Sequence, residues 1–184
     1  MSLYELPRDL PVPVDDGAVD HLEGMTVPAI ELESSVGPVD LAEFGAGRAV
    51  LYVYPRTGLP GREVPAEWDA IPGARGCTPQ SCGFRDHFEE LRQLGIRVAG
   101  LSTQSLIEQI ELSERLGILH PVISDPNRKL GEALGLPTFE FDDAVLYKRL
   151  TLVFETGRVS KVFYPVFPPN AAAAEVVEWL RSRA

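Results

Sequence analysis

Residues 49 to 55, Ala-Val-Leu-Tyr-Val-Tyr-Pro, form a continuous apolar run that stops at Pro55. A strand apolar at every position needs cover on both faces, so the run predicts a buried central strand. Downstream of Pro55 the pattern alternates between strands and helices. "IRVAGLST" (96 to 103) and "HPVISD" (120 to 125) read as strands. Residues 104 to 116 read as a helix closed by Gly117, and "PNRKLGEALG" as a short helix ending in glycine. Phe84, Phe88 and Leu91, at i, i+4 and i+7, predict one helix running to Gly95. "YKRLTLVFETGRVSKVFYP" reads as two strands around a Thr156-Gly157 turn, and Asn170 is placed to cap a last helix.

Strands alternating with helices require a sheet covered on both faces, and the terminal hairpin makes that sheet mixed. The expected class is α/β: a thioredoxin-like three-layer fold with a central mixed sheet. An N-terminal hairpin extension around Gly37-Pro38 precedes the central strand. Residues 1–26, rich in Pro and Asp, read as an extended arm, and residues 27–184 as the domain. The 184 residues suffice for one substantial core.

The formal net charge of −10 argues against nucleic acid or an anionic membrane surface as a partner. No apolar run is long enough to span a bilayer. The first residues lack the basic and apolar regions of a secretory signal, so a cytoplasmic location is expected. Reducing compartments keep thiols free.

The chain has two cysteines, and both lie in "GARGCTPQSCGFRDHFEEL", five positions apart. Thr78 can cap a helix here and Pro79 suits its first turn, which puts Cys77 at the helix N-terminus. The unpaired N–H groups there favour a thiolate. A free thiol is only about 3% ionised at pH 7, and half-ionisation near pH 6 takes roughly 3.4 kcal/mol. A helix end supplies at most ~2 kcal/mol, so a cation must contribute the rest. Arg75 is a neighbour in sequence, and a strand arginine brought in by the fold would serve equally. Other readings stay open on residues alone: small buried hydrophobes, a zinc site recruiting His87, or a Cys–His hydrolase using His120.

The segment "YVYP…GCTPQSCGFRDHFEELRQLGIRVAGLST" resembles the peroxiredoxins, and within them the Q-type, or bacterioferritin-comigratory, branch. The shared features are Tyr54-Pro55 at a strand end, the Gly76 to Asp86 segment, and Ser102-Thr103 closing a strand. Arg149 in "YKRLTLVF" matches the family's late-strand arginine. The resemblance implies a thioredoxin-like domain and thiol-dependent reduction of hydrogen peroxide and organic hydroperoxides, with no cofactor and no metal. By position, Cys77 resembles the peroxidatic cysteine, Cys82 the resolving one, and Arg149 the residue that holds thiolate and peroxide. Pro55 would form a pocket wall. The implied partners are the peroxide and thioredoxin or a similar dithiol, with the chain a monomer or weak homodimer.

One departure stands out. The family places Pro-x-x-x-Thr-x-x-Cys before its nucleophile, whereas this chain has Ala70 and Ala74 at those positions. Pro55 instead precedes Cys77 by 22 residues. Thr57 is the first candidate for the missing peroxide-binding hydroxyl and Thr78 the second. Residues 58 to 73 are expected to pack as a lid beside Cys77, anchored by Trp68 and Ile71. The rival classes are a redox-inert thioredoxin-like scaffold and a thiol–disulfide oxidoreductase. The acidic pair Asp142-Asp143 reads as solvated surface.

Overall fold

The computed structural model describes residues 5 to 183, so the first four residues of the expected arm lie outside it. A short antiparallel pair, β1 (Glu31–Leu32) and β2 (Val39–Asp40), leads into α1 (Leu41–Gly45) and the central strand β3 (Arg48–Val53). A long connection containing α2 (Ala66–Asp69) then leads to α3 (Cys77–Asp86) and α4 (Phe88–Gln93). Next come β4 (Arg97–Ser102), α5 (Leu106–Leu116), β5 (Val122–Ser124) and α6 (Lys129–Leu134). A hairpin of β6 (Thr138–Phe141) and β7 (Ala144–Tyr147) precedes β8 (Leu150–Glu155), β9 (Arg158–Phe163) and α7 (Ala172–Arg181).

The main sheet has the order β5-β4-β3-β8-β9. Strands β3, β4 and β5 are parallel, β8 pairs antiparallel with β3 and β9 antiparallel with β8, so the sheet is mixed. Alternation along β3 explains its apolar run. Ala49, Leu51 and Val53 enter a core shared with α1, α6 and the N-terminal segment. Val50, Tyr52 and Tyr54 enter the opposite core, with α3, α4, α5 and α7. Tyr52 stacks on Phe84 at 4.3 Å between ring centroids, which fixes α3 over the sheet centre. Residues 19 to 27 pack against the first core through Val19, Leu22 and Val27, and Asp16 is held by Lys148 and the Tyr164 hydroxyl.

Several local expectations need correction. The helix expected from residue 77 to the 90s is two helices. His87 departs from helical dihedrals, at φ −93° and ψ 2°. The hydrogen bonds His87 N–H to Gly83 O and Leu91 N–H to His87 O still bracket the break, so the apolar stripe is preserved across it. Asn170 does not cap α7. It sits in a 3-10 turn, Pro169–Ala171, and Ala171 precedes the helix without a side-chain cap. Asp142 and Asp143 are exposed, as expected of a solvated pair, and they also form the turn of the β6–β7 hairpin, both at positive φ, a conformation that short polar side chains tolerate. By contrast, Ser105 and Glu108 form a reciprocal capping box at the start of α5, and Gly117 closes that helix in the left-handed region.

Candidate active site

Cys77 is the first residue of α3. The preceding Gly76 has φ +103°, and a Cβ there would collide with Pro169, so the turn requires glycine. Gly76 caps the helix through its carbonyl, which accepts from the Gln80 N–H at 3.0 Å. Thr78 is therefore not the cap; it lies inside the first turn and is buried. Cys77 is 4% exposed and sits where the free N–H groups of α3 converge.

The cation beside Cys77 is Arg149, just ahead of β8 and 3% exposed. Its Nη2 is 3.2 Å from Cys77 Sγ. The same guanidinium donates to the carbonyls of Gly73 (3.2 Å), Ala74 (3.0 Å) and Arg75 (3.1 Å), and Nη1 donates to Gln80 Oε1. Its orientation is thus fixed by backbone on one side and α3 on the other. A planar fork of five donors suits this role as an ammonium would not. The Arg75 side chain is instead paired with Asp69, at 3.1 Å.

Beside Cys77 lies a cavity of about 280 Å³. Thr57, Thr78, Gly76 and Arg75 line it together with Leu59, Val64, Pro65 and Trp68 of the inserted segment. Trp68 packs edge-on against Phe141 at 5.0 Å, beside Phe139, Leu146 and Ile71. The insertion therefore rests on the β6–β7 hairpin. Arg56 seals the join, lying 5.0 Å over Trp68 and 5.3 Å over Phe141, with Asp142 at 3.5 Å. Trp68 and Ile71 are the apolar anchors expected of a lid. Pro55 is buried just past the end of β3 and is not among the residues lining the cavity, so the expected pocket-wall position is not met.

Thr57 is buried, and its hydroxyl donates to Gln104 Oε1 at 3.1 Å while its backbone N–H donates to the same atom at 2.9 Å. With its proton engaged, the Thr57 oxygen retains lone pairs to accept from an O–H in the cavity. Gln80 and Gln104, which hold Arg149 and Thr57, carry no signal in the sequence; only the tertiary approach reveals them.

Cys82 lies one and a half turns along α3 and is half-buried. Burial pushes its thiol up, reinforced by Asp86 and opposed by Arg85 and Arg115. Both thiols are free. His120 plays no part at Cys77. It is buried, its Nε2 lies 2.9 Å from the Tyr52 hydroxyl, and burial pushes its pKa down to about 3. His87 faces Glu90 at 3.4 Å. Among the described residues no group of three or more His, Cys, Asp or Glu is arranged to hold a metal ion, and no helix is long and apolar enough to cross a membrane.

The family model described as Redoxin matches residues 22–178. A chloroplastic peroxiredoxin Q of Sedum lineare is 28% identical over 162 residues, covering 87% of this chain and 78% of that protein. The crystal structure of peroxidoxin BcpB from Mycobacterium tuberculosis superposes with a TM-score of 0.71 at 25% identity, covering 89% of this chain and 99% of that one. A PrxQ variant of Xylella fastidiosa gives the same TM-score at 20% identity, covering 89% and 98% of the two chains.

Proposed function

This chain belongs to the redoxin family as a peroxiredoxin of the Q-type branch, a thiol-dependent peroxidase, and from that premise we propose that Cys77 is its peroxidatic cysteine and Cys82 its resolving one. The observation that carries the assignment is the Arg149 Nη2 donor 3.2 Å from Cys77 Sγ at the start of α3. The thiolate attacks one peroxide oxygen and the O–O bond breaks. The sulfur becomes a sulfenic acid, and the departing oxygen leaves with a proton as water or an alcohol. Arg149 stabilises the thiolate and then the developing charge on oxygen. Thr57 accepts from the peroxide O–H, and the lid holds bulk water away.

Cys82 then displaces hydroxide from the sulfenic sulfur, water leaves, and an intramolecular disulfide remains. A small dithiol protein such as thioredoxin reduces it. Because both cysteines sit on one helix, the cycle needs no second chain, which favours a monomer or weak homodimer. A cytoplasmic location suits a cycle whose disulfide must be reduced in every turnover.

Resolution requires motion. In an intact helix, residues five apart have Cα atoms roughly 8.6 Å apart, whereas a disulfide tolerates at most about 7 Å. Both cysteines are helical in α3. The first turns must therefore unwind, which also frees the half-buried, protonated Cys82 to ionise. Gly83 eases the opening, because glycine weakens a helix by about 0.8–1.0 kcal/mol relative to alanine. An alanine fits there: its Cβ would meet Asn170 O at 3.5 Å and Ala173 Cβ at 3.6 Å, both ordinary contacts. Gly83→Ala should leave the peroxide reaction of Cys77 near wild type and slow disulfide formation about fourfold to fivefold, the Boltzmann factor of that difference. Rapid quench of the two steps tests this. Equal resolution rates would remove the unwinding step.

A further inference from the structure

Arg149 is received by three successive carbonyls, those of Gly73, Ala74 and Arg75, at the end of the inserted segment. A three-residue run converges on one guanidinium only if the chain curls tightly, and it does so between Gly73 at φ +79° and Gly76 at φ +103°. Both ends of the curl are glycine hinges, so the hinges alone do not hold the carbonyls in place. Within the curl, one side chain reaches back to the insertion. Arg75 is 7% exposed, and its Nη1 lies 3.1 Å from Asp69 Oδ1 at the end of α2. The adjacent Trp68 anchors α2 in the cluster with Leu146 and the hairpin.

We propose that Asp69 and Arg75 are a positioning pair: their ion pair locks the 73–75 carbonyls, and through them sets the Arg149 guanidinium on the Cys77 sulfur. The proposal rests on the reading of Cys77 as the nucleophile. Its physical basis is that a guanidinium stays charged and a buried charge needs a partner. Asp69 is the carboxylate at hand; the second terminal nitrogen of Arg75, Nη2, is buried without a hydrogen-bond partner. Without Asp69, Arg75 turns outward to regain water. Its backbone turns with it, and the neighbouring Ala74 carbonyl, which accepts from Arg149 Nη2 at 3.0 Å and from Cys77 Sγ at 3.6 Å, moves. The inserted segment is then more than a wall of the peroxide cavity, because it governs the activation of the thiolate.

The test uses the full chain carrying Cys82→Ser, so that Cys77 alone can react. Asp69→Asn keeps the side-chain size and removes the charge, and Asp69→Glu restores the charge. The reactions are peroxide consumption and alkylation by iodoacetamide, at pH 7 and at pH 10, where an ordinary thiol is ionised without help. Misplacing a catalytic group by about 1 Å costs up to ~100-fold. Asp69→Asn should lower both rates at pH 7 by about tenfold to a hundredfold. It should alkylate close to the parent rate at pH 10, and Asp69→Glu should recover most of the loss. The double change Asp69→Leu with Arg75→Leu leaves no buried charge and should show the same neutral-pH loss in a folded chain. Wild-type alkylation at pH 7 in Asp69→Asn or in the folded double variant would overturn the proposal, as would an equal loss at both pH values. If the Cys82→Ser parent itself fails to react with peroxide, the nucleophile assignment falls, and the positioning claim with it.

Discussion

Cys77→Ser should consume no peroxide, and Cys82→Ser should consume about one equivalent and stop. The two outcomes stem from the different surroundings of the thiols. Cys77 combines the helix N-terminus with the Arg149 donor at 3.2 Å, an arrangement that stabilises a negative sulfur. A serine hydroxyl at the same place keeps the hydrogen-bond partners but does not ionise near neutral pH. It therefore offers no anionic nucleophile, and a fall below detection is expected. At Cys82 burial outweighs the pull of Arg85 and Arg115 and pushes the thiol up. Its loss removes resolution alone, so the variant should stall with one oxygen added to Cys77. Stopped-flow mixing followed by intact mass measurement separates the cases. Rapid peroxide consumption by Cys77→Ser would reverse or void the assignment.

The second large effect belongs to Arg149. Arg149→Met keeps length and loses every donor, and should lower the peroxide rate constant by roughly 10²–10³-fold, the range seen when one transition-state donor is removed. It also strands Gln80 and the carbonyls of residues 73 to 75, so stability should fall by about 1–3 kcal/mol for each acceptor left buried without a partner. Arg149→Lys is the sharper comparison. It retains the charge but not the fork that spans α3 and the carbonyl run, so it should recover part of the thiolate reactivity and little of the peroxide rate. Alkylation and peroxide kinetics on the three proteins give the two numbers. Arg149→Met within threefold of wild type in a folded protein would exclude the arginine from the chemistry.

Much of this architecture was legible because its causes are local. The apolar run at β3 demanded two covered faces, and both cores meet it. The placement of Cys77 at a helix start came from a glycine-rich approach and Pro79, and the charge argument called for a cation from elsewhere in the fold. Arg149 was reachable only through the family resemblance, since a lone arginine before a strand has no local signature. What stayed hidden was mostly tertiary. The break at His87 preserves the spacing of Phe84, Phe88 and Leu91, so periodicity is blind to it. Gln80 and Gln104 acquire their roles from partners 69 and 47 residues away. The β6–β7 hairpin is different. Phe139 and Phe141, then Val145 and Tyr147, alternate around a two-residue acidic turn, and reading Asp142-Asp143 as a surface charge pair overlooked a usable hairpin signal. That omission also hid what the insertion packs against.

Whether Cys77 and Cys82 complete one redox cycle within a single chain is read directly from the products of one stoichiometric reaction. The fully reduced protein is mixed with one equivalent of hydrogen peroxide, free thiols are blocked, and the products are read by intact mass and peptide mapping. Both thiols should disappear, the chain should become lighter by two hydrogen atoms, and a Cys77–Cys82 crosslink should form without covalent dimer. Two thiols remaining after the peroxide is exposed to the protein, or a single thiol lost into a disulfide between chains, would contradict a cycle completed within one chain.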